Sequence, residues 1–165
     1  MPVAIPGDQY FKATAITCGI FFYDCAYFIT ICAKSRAELF GNIGVGAATC
    51  RPCVELSNTG LIIDAAIHRI HDVFRHVQID QYVIMQNHVH LIIVVDANSG
   101  RQVAAPTISL IVGSMKRAVS VSAGFSPWQK SFHDHIIRND DEYRRITEYI
   151  ATNPISWHED CLFPK

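Results

Sequence analysis

The chain has 165 residues, 50% of them hydrophobic, and a formal net charge of −1 at pH 7. This length and composition fit one domain with a single ordinary core, and they argue against a disordered chain. With this balanced charge the chain lacks the overall positive potential that would indicate a nucleic-acid or membrane partner, and only local basic patches stay possible.

The chain contains six cysteines. In a chain of this length and core content, reduced thiols in the cytoplasm are favoured over a disulfide framework, so we expect a cytoplasmic protein. Cys50 and Cys53 form a CxxC, which is half of a structural zinc site, but no second CxxC or CxxH follows to complete it. Buried or incidental thiols are therefore the favoured interpretation.

The first part of the chain divides into an extension and a strand. Residues 1–22 show no interpretable pattern and are predicted to be an irregular N-terminal extension, which leaves 23–165 as a single domain. The segment "AYFITICA" from Ala26 to Ala33 is rich in β-branched and aromatic residues and predicts a strand. The glycine-rich "GNIGVGA" lacks GxGxxG spacing, so it predicts a loop or small hairpin rather than a phosphate cradle.

The middle of the chain predicts a helix followed by a hairpin. With Asn58 as the N-cap, "LIIDAAIHRIHDVF" has helical periodicity over about four turns. The segments "VQIDQYVIM" and "HVHLIIVV" are then typical of two strands joined by the short polar "QN". The polar, proline-containing "DANSGRQVAAP" predicts the next loop.

The last third predicts helix, strand and helix. "TISLIVGSMKRAVSVSA" is amphipathic, with an apolar stripe and an exposed basic pair, Lys116 and Arg117. "KSFHDHIIR" alternates as a strand, and "DDEYRRITEYIATNP" predicts a helix that Pro154 ends. The order indicates an α+β, ferredoxin-like split βαβ fold: a four-stranded antiparallel sheet with helices on one face and an added C-terminal helix that carries tyrosines.

Two histidines in the predicted strand "HVHLIIVV" are candidate metal ligands. Residues two apart in a strand point to the same face, so His88 and His90 would form a two-imidazole platform for a divalent metal. An isolated HxH is more often a pair of histidines on a half-exposed sheet face. A third ligand is needed to favour metal.

The last helix offers a third ligand. Its core stripe includes Tyr143, Ile146 and Ile150, whereas Tyr149 and Asn153 lie at i and i+4 on one flank. We expect Pro154 to hold Asn153 outside helical geometry. Spacing alone leaves open that Asn153 is a plain helix cap and Tyr149 a half-buried tyrosine.

The residues from about Tyr27 to Asp160 resemble a known family. "NHVHLII", followed by "WQKSFHDHIIRNDDEYRRITEYIATNPISW", is similar to the single-tyrosine HUH transposases and, among them, to the REP-associated tyrosine transposases of bacteria. The resemblance implies that His88, His90 and Asn153 bind a divalent metal and that Tyr149 is the nucleophile. Gln86 departs from the family pattern, in which proline is usual, and could loosen the turn before the histidines.

The resemblance also implies an activity. It predicts a metal-dependent single-stranded DNA endonuclease and strand transferase that forms a 5′-phosphotyrosine on hairpin DNA such as REP elements, with Mg²⁺ or Mn²⁺ as cofactor. The chain would be a monomer or homodimer, without a membrane partner. Candidate DNA contacts are Lys116, Arg117, Trp128, Lys130, Arg138, Arg144 and Arg145.

Two alternatives stay open. One is a domesticated, sequence-specific DNA-hairpin binding protein with weak or no cleavage. The other is a metal-dependent hydrolase that uses water, in which Tyr149 is only structural.

Overall fold

A computed structural model describes residues 24–44, 53–96, 107–160 and 162. The strands in these ranges are β1 (Asp24–Cys32), β2 (Gly41–Gly44), β3 (Cys53–Leu56), β4 (Val77–Ile84), β5 (His88–Asp96) and β6 (His133–Ile137). The helices are α1 (Asn58–His68), α2 (Ile70–Val73), α3 (Ile108–Ala123) and α4 (Asp140–Thr152), with 3₁₀ turns at Lys34–Arg36 and Trp157–Glu159. The predicted extension over 1–22, most of the predicted loop over 96–106, and Cys50 of the CxxC lie outside the described residues.

The main sheet has four strands in the order β4-β5-β1-β6, and every pair is antiparallel. β1 and β5 are central and pair along their full length, from Asp24 opposite Asp96 to Cys32 opposite His88. The predicted α+β, split βαβ fold is thereby confirmed. The start of the glycine-rich segment forms β2, which pairs with β3 in a separate two-stranded ladder, so the small hairpin is confirmed there.

Both faces of the sheet are covered. On one face, Val89, Leu91 and Ile93 join the core that includes residues of α1 and α3. On the opposite face, Ile92 and Val94 join a second core that includes Ile150 of α4 and Trp157. Burial on both sides explains why β5 is apolar almost throughout, since each side of the strand packs against helices. We call the second face the site face.

The first helical segment differs from the prediction in two details. Ser57, not Asn58, is the N-cap, because its Oγ accepts a hydrogen bond of 3.1 Å from the Gly60 N–H. The helix is also interrupted at Arg69, whose ψ of −7° ends α1 before α2 begins. Ile67 and Ile70 stay buried on either side of the interruption, so the apolar periodicity that predicted one helix does not reveal it.

Candidate metal and tyrosine site

His88 and His90 lie side by side on the site face, with ring centroids 4.4 Å apart. Their exposures are 0% and 3%, so the alternative of a half-exposed sheet face is wrong. The cover comes from the C-terminal part of the chain: the Trp157 ring lies 5.5 Å from the His88 ring, and the Tyr149 ring lies 5.2 Å from the His90 ring. Two neighbouring imidazoles are therefore enclosed where apolar side chains would otherwise pack.

Each imidazole has a partner for its Nδ1 atom. Nδ1 of His88 lies 2.8 Å from Oδ1 of Asn87, and because an amide oxygen only accepts, His88 carries its proton on Nδ1. Nδ1 of His90 lies 2.8 Å from the Thr30 hydroxyl, which can accept in the same way. With the proton on Nδ1, the Nε2 atom presents a lone pair, as a metal ligand requires.

Burial keeps both imidazoles neutral near pH 7. It lowers the pKa of His88 to about 4, and the nearby Asp160 carboxylate offsets only part of this effect. Burial lowers the pKa of His90 to about 3, with a further contribution from His88 and a partial offset from Asp160. Neutral imidazoles are the forms that bind metals.

Asp160 joins the site from the 3₁₀ turn that follows α4. Its Oδ2 accepts hydrogen bonds of 2.8 Å from the Tyr149 hydroxyl and 2.8 Å from Nδ2 of Asn153, and its Oδ1 accepts one from the Leu162 N–H. Burial raises the pKa of the Asp160 carboxyl, but these three hydrogen bonds outweigh it, so the pKa lies below its ordinary value. Asp160 is thus a carboxylate near neutral pH.

The donor atoms fit a divalent cation. One ligand atom each from His88, His90 and Asp160 lie within 4.8 Å of one another. Among the residues the structure describes, Nε2 of His88 and Oδ1 of Asn153 are buried without a hydrogen-bond partner. Buried lone pairs without a partner are costly, and a cation would satisfy them. Two imidazoles with carboxylate and amide oxygens are ligand types that bind divalent cations in proteins.

Three of the predicted site residues come together, and Asn153 joins them in an unexpected conformation. The Tyr149 hydroxyl lies 3.3 Å from Nε2 of His90, and the side chain is 39% exposed. The expectation that Pro154 removes Asn153 from helical geometry is wrong, since Asn153 has φ −52° and ψ −44°. The helical turn continues because the N–H groups of Ile155 and Ser156 both donate to the Thr152 carbonyl.

Sequence patterns did not identify Asp160. It follows Pro154 and a 3₁₀ turn, so no helical or strand period connects it to Tyr149 or to the histidines. Its position at the end of the family-like segment was the one available signal. Only the path of the chain after α4 brings its carboxylate to the site.

Gln86 does not loosen the turn before the histidines. Its Nε2 donates a hydrogen bond of 2.9 Å to Oδ1 of Asn42 in β2, and its carbonyl accepts from the Phe40 N–H. The side chain is 7% exposed. The departure from proline therefore adds a link between the turn and the β2–β3 ladder.

Two of the predicted DNA contacts have structural roles. Trp128 is 5% exposed, packs against Phe40 and donates through Nε1 to the Lys116 carbonyl, so its prediction as a base-stacking residue is wrong. Lys116 was predicted to be exposed but is half-buried, and its ammonium donates to the carbonyls of Gln129, Lys130 and Ser131. Its stem packs while its charged end reaches the loop carbonyls. The exposed candidates are Arg117, Lys130, Arg138, Arg144 and Arg145.

Comparison with known proteins finds a sequence relative and solved structures of similar fold. No protein-family model matches the chain. An uncharacterized protein of Haemophilus influenzae is 33% identical over 157 residues, which cover 83% of this chain and 84% of that protein. A solved REP-associated tyrosine transposase, bound to a REP hairpin, superposes with a TM-score of 0.62 at 20% identity, over 85% of this chain and 72% of the other.

A crystal structure of a suggested transposase from Deinococcus radiodurans also matches, with a TM-score of 0.45 at 13% identity, over 82% of this chain and 95% of the other. A TM-score this low does not establish a shared fold.

The 33% identity over most of both chains shows that the chain belongs to the same protein family as the Haemophilus influenzae protein. The TM-score of 0.62 shows that the chain has the fold of the solved REP-associated tyrosine transposase.

Proposed function

We propose that the chain is a metal-dependent DNA endonuclease and strand transferase that acts on single-stranded hairpin DNA through a 5′-phosphotyrosine. One observation carries the proposal: the hydroxyl of the partly exposed Tyr149 lies 3.3 Å from Nε2 of His90, beside a group of two buried histidines and the half-buried Asp160 that could hold a divalent ion. A nucleophile beside a metal site is the arrangement that phosphodiester transesterification requires.

The residues that would hold the ion are His88, His90, Asp160 and Asn153. When bound, the ion would polarise a phosphoryl oxygen and stabilise the negative charge that develops on it during attack. Mg²⁺ and Mn²⁺ are the ions we propose, because the available ligands are nitrogen and hard oxygen atoms.

Tyr149 is the proposed nucleophile. A tyrosine with an ordinary pKa of about 10 needs help to lose its proton at neutral pH. Oδ2 of Asp160 already accepts the hydrogen bond from the Tyr149 hydroxyl, so this carboxylate can orient the proton and receive it. The phenolic oxygen then bonds to phosphorus, and the bond from phosphorus to the 3′ oxygen breaks. The 3′ oxygen takes up a proton, which Asp160 can return, and leaves as a free 3′-OH.

The reaction is reversible because the phosphotyrosine bond keeps the free energy of the phosphodiester bond that it replaces. A second 3′-OH that attacks the phosphotyrosine rejoins a DNA strand and releases Tyr149 with its proton restored. This property separates strand transfer from hydrolysis, in which water would consume the ester.

Hairpin DNA is the proposed substrate because the solved transposase with the same fold was bound to a REP hairpin. The exposed arginines of α4 support this on the chain itself: Arg145 precedes Tyr149 by four residues, which places both on one side of the helix. Such cations would contact phosphates next to the nucleophile. Over the described ranges, no helix has the length and apolar content needed to cross a membrane.

A DNA-hairpin binding protein with weak cleavage is the second candidate. The observation that favours it is the engagement of the site's own groups with one another, since Asp160 accepts hydrogen bonds from both Tyr149 and Asn153. Such hydrogen bonds can stabilise the fold of a DNA-binding protein without any cleavage.

Covalent trapping tests the proposal. A labelled single-stranded hairpin is incubated with Mn²⁺ and either the native protein, Tyr149→Phe, or Tyr82→Phe as a matched tyrosine control on the opposite face of the sheet. We expect a protein–DNA adduct on a denaturing gel for the native protein and Tyr82→Phe, and none for Tyr149→Phe.

Other outcomes identify the alternatives. Tight hairpin binding by the native protein without an adduct would favour the binding protein. DNA cleavage without an adduct, kept by Tyr149→Phe, would favour a hydrolase that uses water.

A further inference from the structure

A buried carboxyl lies on the site face away from the metal-binding group. Asp80 of β4 is 2% exposed, and within the described chain no lysine or arginine pairs with it. The pairing of β4 with β5 shifts by one residue between Ile79 and Gln81, so Asp80 is the extra residue of a β-bulge. The bulge lets Asp80 face α4 beside Gln81, which pairs with Ile92 of the site face.

The carboxyl is bound to the helix that carries Tyr149. The Tyr143 hydroxyl donates a hydrogen bond to Oδ2 of Asp80. Burial raises the pKa of the Asp80 carboxyl, and burial together with this hydrogen bond raises the pKa of Tyr143. Oδ1 of Asp80 has no partner among the residues described. An apolar side chain would occupy this place at less cost, so packing alone does not account for the pair.

The position of the pair along α4 suggests what it does. Tyr143 precedes Tyr149 by six residues, or about 9 Å along the helix axis. Between and beyond them, Ile146 and Ile150 contact the sheet through apolar surfaces, which tolerate small slides and rotations. A hydrogen bond is directional and tolerates much less displacement.

We propose that Asp80 and Tyr143 are positioning residues. Their hydrogen bond sets the rotation of α4 about its axis and its position along that axis, and thereby brings the Tyr149 hydroxyl to the His90 side of the site. The inference rests on the proposed function, because it concerns the nucleophile of that reaction. A displacement of a reacting group by about 1 Å can lower a rate by about a hundredfold.

Single-turnover adduct formation at saturating hairpin DNA and Mn²⁺ tests the inference. The variants are Tyr143→Phe, the apolar pair Asp80→Leu with Tyr143→Phe, and Asp80→Asn, whose amide oxygen can still accept the hydrogen bond. The double variant leaves no buried carboxyl without a partner, so it keeps a folded protein available if Tyr143→Phe unfolds. Tyr82→Phe is the matched control, because Tyr82 donates a 2.7 Å hydrogen bond to Asp64 from the same strand toward the opposite face.

We expect the double variant to form the adduct about tenfold to a hundredfold more slowly than the native protein, with Mn²⁺ affinity and hairpin affinity unchanged within about twofold. Asp80→Asn and Tyr82→Phe should keep near-native rates. A folded double variant with a native rate would overturn the inference, and so would a loss of Mn²⁺ affinity equal to its loss of rate. Absence of an adduct from the native protein would instead contradict the proposed function itself.

Discussion

At the scale of single residues, the partners of the two imidazoles decide whether His88 and His90 can bind a metal. Asn87 and Thr30 each occupy an Nδ1 atom at 2.8 Å. These contacts fix the ring orientations and leave the Nε2 atoms for an ion. Thr30 is itself 9% exposed and lies directly opposite His90 in the pairing of β1 with β5, so its hydroxyl has little freedom to move.

Removal of the Thr30 hydroxyl should weaken metal binding. In Thr30→Val the side chain keeps its shape, but the buried Nδ1–H of His90 loses its acceptor, and we expect Mn²⁺ affinity to fall about tenfold to a hundredfold. Thr30→Ser, which keeps a hydroxyl, should stay within a few-fold of native affinity. Calorimetric titration of the metal-free protein with Mn²⁺ measures the difference, and equal affinities for Thr30→Val and the native protein would contradict the orienting role.

At the scale of elements, local capping interactions define the start of α4. Asn139 caps the helix by accepting a 2.8 Å hydrogen bond from the Glu142 N–H, and three acidic residues lie in the first turn. Glu142 also accepts from His135 and from the Arg138 N–H, which joins the start of α4 to β6. These local interactions place the helix beside the sheet, and the contacts of its other face then set its position.

Two helical glycines should respond to the same substitution with opposite signs. A Cβ at Gly60 in α1 would lie 2.0 Å from the Phe40 carbonyl oxygen, so Gly60→Ala should destabilise the fold by at least about 1–3 kcal/mol. A Cβ at Gly113 in α3 would meet nothing within 4 Å, so Gly113→Ala should stabilise it by about 0.5–1 kcal/mol. Urea unfolding measures both, and a stabilised Gly60→Ala variant would contradict the close approach.

At the scale of the whole molecule, the proposed ligands come from separate parts of the chain. His88 and His90 belong to β5, Asn153 ends α4, and Asp160 follows the next turn. The unfolded chain holds no such arrangement of ligands. Metal binding should therefore favour the folded state over the unfolded one.

Mn²⁺ should raise the thermal midpoint of the native protein relative to the same protein in EDTA. An ion at about one hundred times its Kd adds about 2.7 kcal/mol to the free energy of unfolding. His88→Gln and Asp160→Asn should lose most of this shift, whereas His68→Gln, on the opposite face of the sheet, should keep it. Differential scanning fluorimetry measures the thermal midpoints. An equal shift in all four proteins would show that the ion binds elsewhere.

Local patterns in the sequence were sufficient for most of the elements and for part of the site. Side chains alternate between the two faces of a strand, so the spacing of His88 and His90 in β5 predicted that they lie on one side. Helical periodicity separated Tyr149 and Asn153 from the core position of Tyr143. Both conclusions depend on side-chain direction along a single element, which residue types and spacing report directly.

Only the tertiary structure decided which elements cover those side chains. In the folded chain the two histidines are buried and the Asp160 carboxylate lies beside them. Lys116 and Trp128 form hydrogen bonds with backbone carbonyls, and Tyr143 donates a hydrogen bond to Asp80 at the β4 bulge. The family resemblance implied a nucleophile and three metal ligands, but it gave no sign of these contacts. The physical reason is that each contact joins residues with no shared period, and its geometry follows from how whole elements pack and where the chain turns between them.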